Sequence, residues 1–235
     1  MTLDFRRFEA LTFDCYGTLI DWERGILDAL GPLLASHGVA GPDDDALLER
    51  FAVAEAEQEA GDYAPYRDVL RAVARRLGSE LGFETTEAEA EAFSASVVAW
   101  PAFPDSPGAL ARLATRFRLA VVSNVDDDLF AGSAARLGVT FDEVVTAQQV
   151  RSYKPAPAHF HEALRRLGLP RERVLHVAQS LYHDIGPARD LGYACVWVNR
   201  RAGRSGGGAT TAARATPHLE VPDLATLARL AVPTT

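Results

Sequence analysis

Leu11-Thr12-Phe13-Asp14-Cys15-Tyr16-Gly17-Thr18-Leu19 begins as an apolar strand and ends in an aspartate, a tyrosine and a glycine turn. Strand tips facing the crevice of an open α/β sheet are where such folds put their chemistry, so Asp14 stands where a nucleophile would. A turn or helix-cap aspartate is the plainer account of the same residues. Partners at other strand ends decide between the two.

Outward from this stretch, β-branched apolar runs predict strands over 8–15, 119–123, 143–145, 174–178 and 194–198. Helical patterns fall between or after them at 130–137, 158–167, 186–191 and 224–230. Gly138, Gly168 and Gly192 follow helical runs as stop signals. Strand and helix alternate at βαβ spacing, which predicts a doubly wound parallel sheet, a Rossmann-like α/β core. The segment 21–101 breaks the alternation. Leu27, Leu30, Leu33 and Leu34 make one helical face; Leu47, Leu48 and Phe51 make another; Val69, Leu70, Val73 and Leu77 make a third. A fourth helix, 87–100, starts behind Thr85-Thr86, a capping site. The expected organisation is a catalytic core from 1–20 and 102–235 with an inserted all-helical cap, 21–101. A long, polar, flexible loop is expected over 201–217.

The chain of 235 residues is 48% hydrophobic with a net charge of −8, which allows one large core or a core plus a modest second lobe. That acidity argues against nucleic acid or an anionic membrane as a partner. Neither a signal-peptide pattern nor a run of transmembrane length occurs, so the expected setting is the cytoplasm and the expected ligand a small molecule. Cys15 and Cys195 are too few for a disulfide framework and read as small core hydrophobes. Arginine supplies every other basic side chain, and Lys154 is the sole lysine. A compact ammonium differs from a planar guanidinium, so its retention points to a site that needs one.

Four strand ends each offer polar groups: Asp14 and Thr18; Ser123 and Asn124; Lys154 within Ser152-Tyr153-Lys154-Pro155; and Gln179-Ser180-Leu181-Tyr182-His183-Asp184. A buried carboxylate nucleophile must stay ionised, and a nearby ammonium offsets the cost of burial. Hydroxyls of Thr18 and Ser123 can donate to a carboxylate, and the Asn124 amide can meet a leaving anion.

The first motif, followed in order by the serine, the lysine and the final aspartate, resembles the haloacid dehalogenase superfamily, whose helical cap is inserted at this same point. In its phosphatases a second aspartate two residues after the nucleophile serves as acid and base, and Mg²⁺ neutralises the phosphate. Here that position is Tyr16, and the acidic fourth motif keeps only Asp184. Tyrosine there resembles the 2-haloacid dehalogenase branch, because a halide departs without a proton. The resemblance implies metal-independent attack of Asp14 on Cα of a short 2-haloacid and an aspartyl ester. Lys154 and Asp184 would orient or activate the water that hydrolyses it, unless Asp184 only pairs with Lys154. It further implies substrate contacts from Tyr16, Thr18, Ser123, Asn124 and Ser180. A cap arginine would hold the halide, with Arg50 matched first and Arg67 as the alternate. Relatives of this kind are often homodimers. A Mg²⁺-dependent phosphatase, or a silent metabolite-binding homologue, is the alternative.

Overall fold

The computed structural model describes residues 3–204 and 206–233. Strand β1 (Ala10–Phe13) leads into four helices, α1 (Trp22–Ser36), α2 (Asp44–Glu59), α3 (Tyr66–Leu81) and α4 (Glu87–Ala95). The chain then returns through α5 (Ser106–Ala114), β2 (Arg118–Ser123), α6 (Asp127–Leu137), β3 (Glu143–Thr146), α7 (Ala147–Val150) and α8 (Ala158–Leu167). It closes with β4 (Val174–Ala178), α9 (Gly186–Asp190), β5 (Ala194–Val198), β6 (Leu219–Val221) and α10 (Leu224–Ala231).

The strands form one sheet in the order β3-β2-β1-β4-β5-β6, with every neighbouring pair parallel. Its inner strands are covered on both faces, which is why every residue of β1 and β4 is buried, with only Thr12 and His176 interrupting their apolar runs. Phe13, the last residue of β1, is level with Val121 on β2 and Val177 on β4, so β2 runs on past it to Ser123 and β4 to Ala178. The chain steps from β1 to β2 in one direction and later returns to place β4 on the other side. The gap between β1 and β4 is therefore the crevice where open α/β sheets bind ligands.

Between β1 and β2 the described residues form helices and turns, apart from isolated bridges at Tyr16, Ile20 and Ala102. Asp21, Asp43 and Thr86 cap α1, α2 and α4 with their side chains, and Thr86 forms a reciprocal capping box with Glu89. Apolar faces of these helices join Phe13, Leu19 and Leu119 in one continuous cluster through Ile26, Phe51, Val69 and Phe93. Each such fully buried side chain contributes roughly 1.5–3 kcal/mol by leaving water.

Some expectations need correction. The first strand covers Ala10–Phe13 rather than 8–15, because the chain after Phe13 turns to present Asp14. The fourth cap helix ends at Ala95 and tightens into a 3-10 turn, Ser96–Ala99. Helix α5 and strand β6 were not expected. Within 201–217, Arg201 and Thr210 are buried, and Arg201 pairs with Glu23 and Asp45 of the helical segment. That stretch is tied down at these points rather than free along its length; Ser205 within it lies outside the described residues. Among the described residues, no helix is long and apolar enough to cross a membrane.

Candidate active site

Asp14 follows directly on β1, and its backbone N–H donates to Val177 of β4 at 3.1 Å. That bond holds the residue at the mouth of the crevice. Gly17 then turns with φ +86°, and a Cβ added there would lie 2.9 Å from Trp22 Nε1 and 3.1 Å from Gln179 Oε1. Only glycine meets both demands without strain.

The carboxylate of Asp14 is gripped at both oxygens. Lys154 Nζ donates to Oδ1 at 2.8 Å, and Thr18 Oγ1 donates to Oδ2 at 2.7 Å. The direction of the Thr18 hydroxyl is fixed, because Thr18 Oγ1 itself accepts the Gln179 N–H at 2.8 Å. Lys154 Nζ makes two further bonds, to Asp184 Oδ1 at 2.7 Å and to the carbonyl of Val122 at 2.9 Å. All three ammonium protons are thus used.

Lys154 is only 1% exposed. Burial works against its charge, but the two carboxylates prevail and raise its pKa above the ordinary lysine value. Burial likewise pushes Asp14 up, opposed by the Lys154 ammonium. For Asp184 burial is outweighed by Lys154 and by His176, and the carboxyl is held well below the usual carboxylate range. His176 Nε2 lies 3.1 Å from Asp184 Oδ1, and its Nδ1 is 3.0 Å from Thr12 Oγ1. A buried chain, Thr12–His176–Asp184–Lys154–Asp14, therefore runs from the sheet interior to the crevice.

Asn124 serves a different purpose from the one expected. Its Oδ1 accepts the Lys154 N–H at 2.7 Å while its Nδ2 donates to the Lys154 carbonyl at 3.1 Å. This reciprocal clamp fixes the lysine loop against the end of β2. The same Nδ2 is 3.2 Å from Glu59 Oε2, so the amide is already engaged when an anion arrives.

A small cavity opens above Asp14. Of the residues singled out in the sequence, Asp14, Tyr16, Ser123, Asn124, Lys154, Ser180 and Asp184 line it. Thr18 acts from beneath through its bond to Asp14. Tyr16 offers its ring, since its hydroxyl is bonded to Ser133 at 2.9 Å and burial pushes the phenol well above its ordinary pKa. Ser180 Oγ accepts the His183 N–H at 2.9 Å. Ser123 Oγ and Asp184 Oδ2 are buried without a partner.

Neither arginine suggested for the cap reaches this cavity. Arg50 lies nearly half exposed, with its nearest acidic partner, Glu80, 3.8 Å away; Arg67 donates to Asp128 at 2.5 Å. The helical segment contributes Trp22, Glu55, Glu59 and Tyr66 instead. The sequence reading missed the two glutamates and His183. Glu55 and Glu59 continue the buried stripe of Leu48 and Phe51 at helical spacing, a signal that was present in the sequence.

A divalent cation needs several hard oxygen donors in near-octahedral array. Both Asp14 oxygens are occupied by Lys154 and Thr18, and Asp184 has one free oxygen. Among the described residues no group of three or more His, Cys, Asp or Glu side chains is arranged to hold a metal. The donor set does not fit Mg²⁺.

The haloacid dehalogenase-like hydrolase family profile matches residues 8–192. The chain is 26% identical over 200 residues to haloacetate dehalogenase H-2 of Moraxella sp. (strain B), covering 83% of this chain and 87% of that protein. It is also 30% identical over 241 residues to the 5-amino-6-(5-phospho-D-ribitylamino)uracil phosphatase YigB of Escherichia coli (strain K12), covering 95% and 96%. The fold matches that of L-2-haloacid dehalogenase from Xanthobacter autotrophicus with chloropropionic acid covalently bound, with a TM-score of 0.80, 23% identity, and coverage of 97% and 100%. The chain belongs to the haloacid dehalogenase-like hydrolase family.

Proposed function

We propose that the protein is a metal-independent dehalogenase of short 2-haloacids, working from a core of 1–20 with 102–235 beneath a cap of 21–101. Asp14 is the nucleophile. A carboxylate oxygen forms a bond to Cα as the carbon–halogen bond breaks, and the halide leaves with the bonding pair. Water then adds to the aspartyl ester carbonyl; the acyl C–O bond breaks, the 2-hydroxy acid leaves and one proton is released. Lys154 stabilises the negative charge that builds on the ester oxygen. Asp184, with Oδ2 unpartnered in the cavity wall, is the base or orienting group for that water. Ser123 Oγ, also unpartnered, is the donor for the substrate carboxylate.

One observation carries this reading. The residue two positions after the nucleophile is Tyr16, its hydroxyl tied to Ser133, so no carboxylic acid stands there to protonate an alkoxide. A halide needs no such proton. Similarity to haloacetate dehalogenase H-2 and to other haloacid dehalogenases supports the same substrate class. A phosphatase is the second reading, favoured by 30% identity to YigB across nearly the whole chain.

Incubation with chloroacetate, 2-chloropropionate and fluoroacetate, with halide release measured, tests the proposal. Halide release without added metal is expected. Mg²⁺-dependent cleavage of p-nitrophenyl phosphate with no halide from any haloacid would favour the phosphatase.

A further inference from the structure

The cavity wall opposite Asp14 is acidic. Glu55 and Glu59 lie one turn apart on α2 and both line the cavity, while none of the described lining residues is an arginine. The core side already holds Asp14 and Asp184 against the single ammonium of Lys154. With both glutamates ionised, four carboxylates would face one cation, and a small anion would be repelled from the place where it must react.

The setting of Glu59 removes that conflict. It is the last residue of α2, where the negative end of the helix dipole disfavours an anion, and its side chain is only 7% exposed. Its neighbours supply little positive charge. Glu55 lies on its own helix, bonded to the Tyr66 hydroxyl of α3 at 2.6 Å. Asn124 contacts Glu59 Oε2 from the end of β2, and His183 Nε2 lies 3.8 Å from the same oxygen. Lys154, Tyr153 and Tyr66 also interact with it electrostatically, and Asp14 and Asp184 line the same cavity. Burial and Glu55 push the Glu59 carboxyl well above its ordinary pKa, and burial holds His183 down to about 4, so this setting favours the uncharged form of both side chains. In the same cavity Ser123 Oγ is fully buried and has no hydrogen-bond partner.

We propose that a protonated Glu59, rather than an arginine, is the cap's hydrogen-bond donor to the anionic part of the substrate or to the departing halide. Entry of a small monovalent anion is therefore linked to retention or uptake of a proton at Glu59. During displacement the carboxylic acid solvates the halide and keeps its proton, so the balance of the reaction is unchanged. This deepens the dehalogenase reading and rests on it.

The test is equilibrium binding to the intact protein, with bromide alone as the probe for the halide and acetate alone as the probe for the substrate carboxylate. Calorimetry in buffers of different ionisation heat counts protons taken up per anion. The wild type is expected to take up a proton on the alkaline side of the Glu59 titration, with affinity falling about tenfold per pH unit there. Glu59→Gln, which keeps an N–H donor and cannot titrate, should bind with no uptake and no pH slope; Glu59→Ala should bind at least tenfold more weakly than Glu59→Gln. Linkage with bromide alone assigns the donor to the halide, and linkage with acetate alone assigns it to the carboxylate. Binding by the wild type without proton uptake, uptake that persists in Glu59→Gln, or no binding of either anion overturns the proposal. Because turnover is not needed, halide release without proton linkage sinks this inference alone. Proton-linked binding without halide release sinks the dehalogenase reading instead.

Discussion

Lys154 Nζ stands 2.8 Å from Asp14 Oδ1, with the lysine side chain sealed from solvent and its other two protons committed to Asp184 and to the Val122 carbonyl. The ammonium is thus both the counter-charge that permits a buried nucleophile and a structural pin across three strand ends. Asp14→Asn should abolish turnover. Lys154→Arg places a planar fork where a tetrahedral donor fits three acceptors, and kcat should fall on the order of 10²–10³-fold. Lys154→Met leaves two buried carboxylates uncompensated and should cost about 3–5 kcal/mol of stability, measured by urea unfolding. Near-normal kcat in Lys154→Arg would remove the case for a required ammonium.

Behind the ammonium, His176 joins Asp184 to Thr12. His176→Leu removes the donor to Asp184 and leaves the Thr12 hydroxyl without its ring partner. A loss of about 1–3 kcal/mol in stability is expected, with a lower kcat and little change in KM. Unchanged kcat would mean that Asp184 is positioned without the imidazole.

Stability on the acid side should depend on His159 and His183. His159 is fully buried against the Ser123 carbonyl and held down to about 3, chiefly by burial and then by Lys154. His183 is held down to about 4 by burial. Each folded-state value lies below the ordinary imidazole value of about 6.5, so between the two the unfolded chain binds more protons and stability rises with pH. Each imidazole adds up to about 1.4 kcal/mol per pH unit in that window, lost as pH falls from 6.5 toward the folded value. Glu55, raised to about 7 by burial, has the opposite sign: its effect lowers stability as pH climbs from 4.5 to 7. Denaturant midpoints should therefore give His159→Asn a shallower acid slope than wild type. An identical slope would show that His159 does not titrate on unfolding as described.

Arg50→Ala is expected to leave halide release within about twofold of wild type and stability within about 0.5 kcal/mol, since the side chain is a solvated helix charge. A large loss of activity would require Arg50 to swing into the cavity during turnover.

Gly17→Ala combines a positive φ with a Cβ 2.9 Å from Trp22 Nε1, so the turn under Asp14 must shift. A loss of about 1–3 kcal/mol and a drop in kcat are expected. Wild-type stability and kcat together would show that the turn is more forgiving than its geometry implies.

Much of the core was legible because buried parallel strands write themselves as apolar runs. The segments over Val174–Ala178 and Ala194–Val198 match their predicted bounds for that reason. Strand β6 escaped because three residues at a sheet edge carry no period, and α5 because Pro104 and Pro107 break the pattern around its start. Asp14, Lys154 and Asp184 were legible from their order along the chain, and one ammonium joins all three. The cap wall was not. In α2, Glu55 and Glu59 sit among Ala54, Ala56, Glu57 and Gln58, which hides a buried acidic pair inside what looks like a solvated helix. Which arginine would enter the site is a question of side-chain direction, and spacing alone could not answer it.

Covalent attack by Asp14 is tested most directly by a single turnover of 2-chloropropionate in ¹⁸O-water with enzyme in excess. The account predicts ¹⁸O in the Asp14 carboxyl, found by peptide mass spectrometry, and unlabelled lactate. Label in the lactate of that first turnover, with none in Asp14, would mean that water attacks the substrate directly and would contradict it.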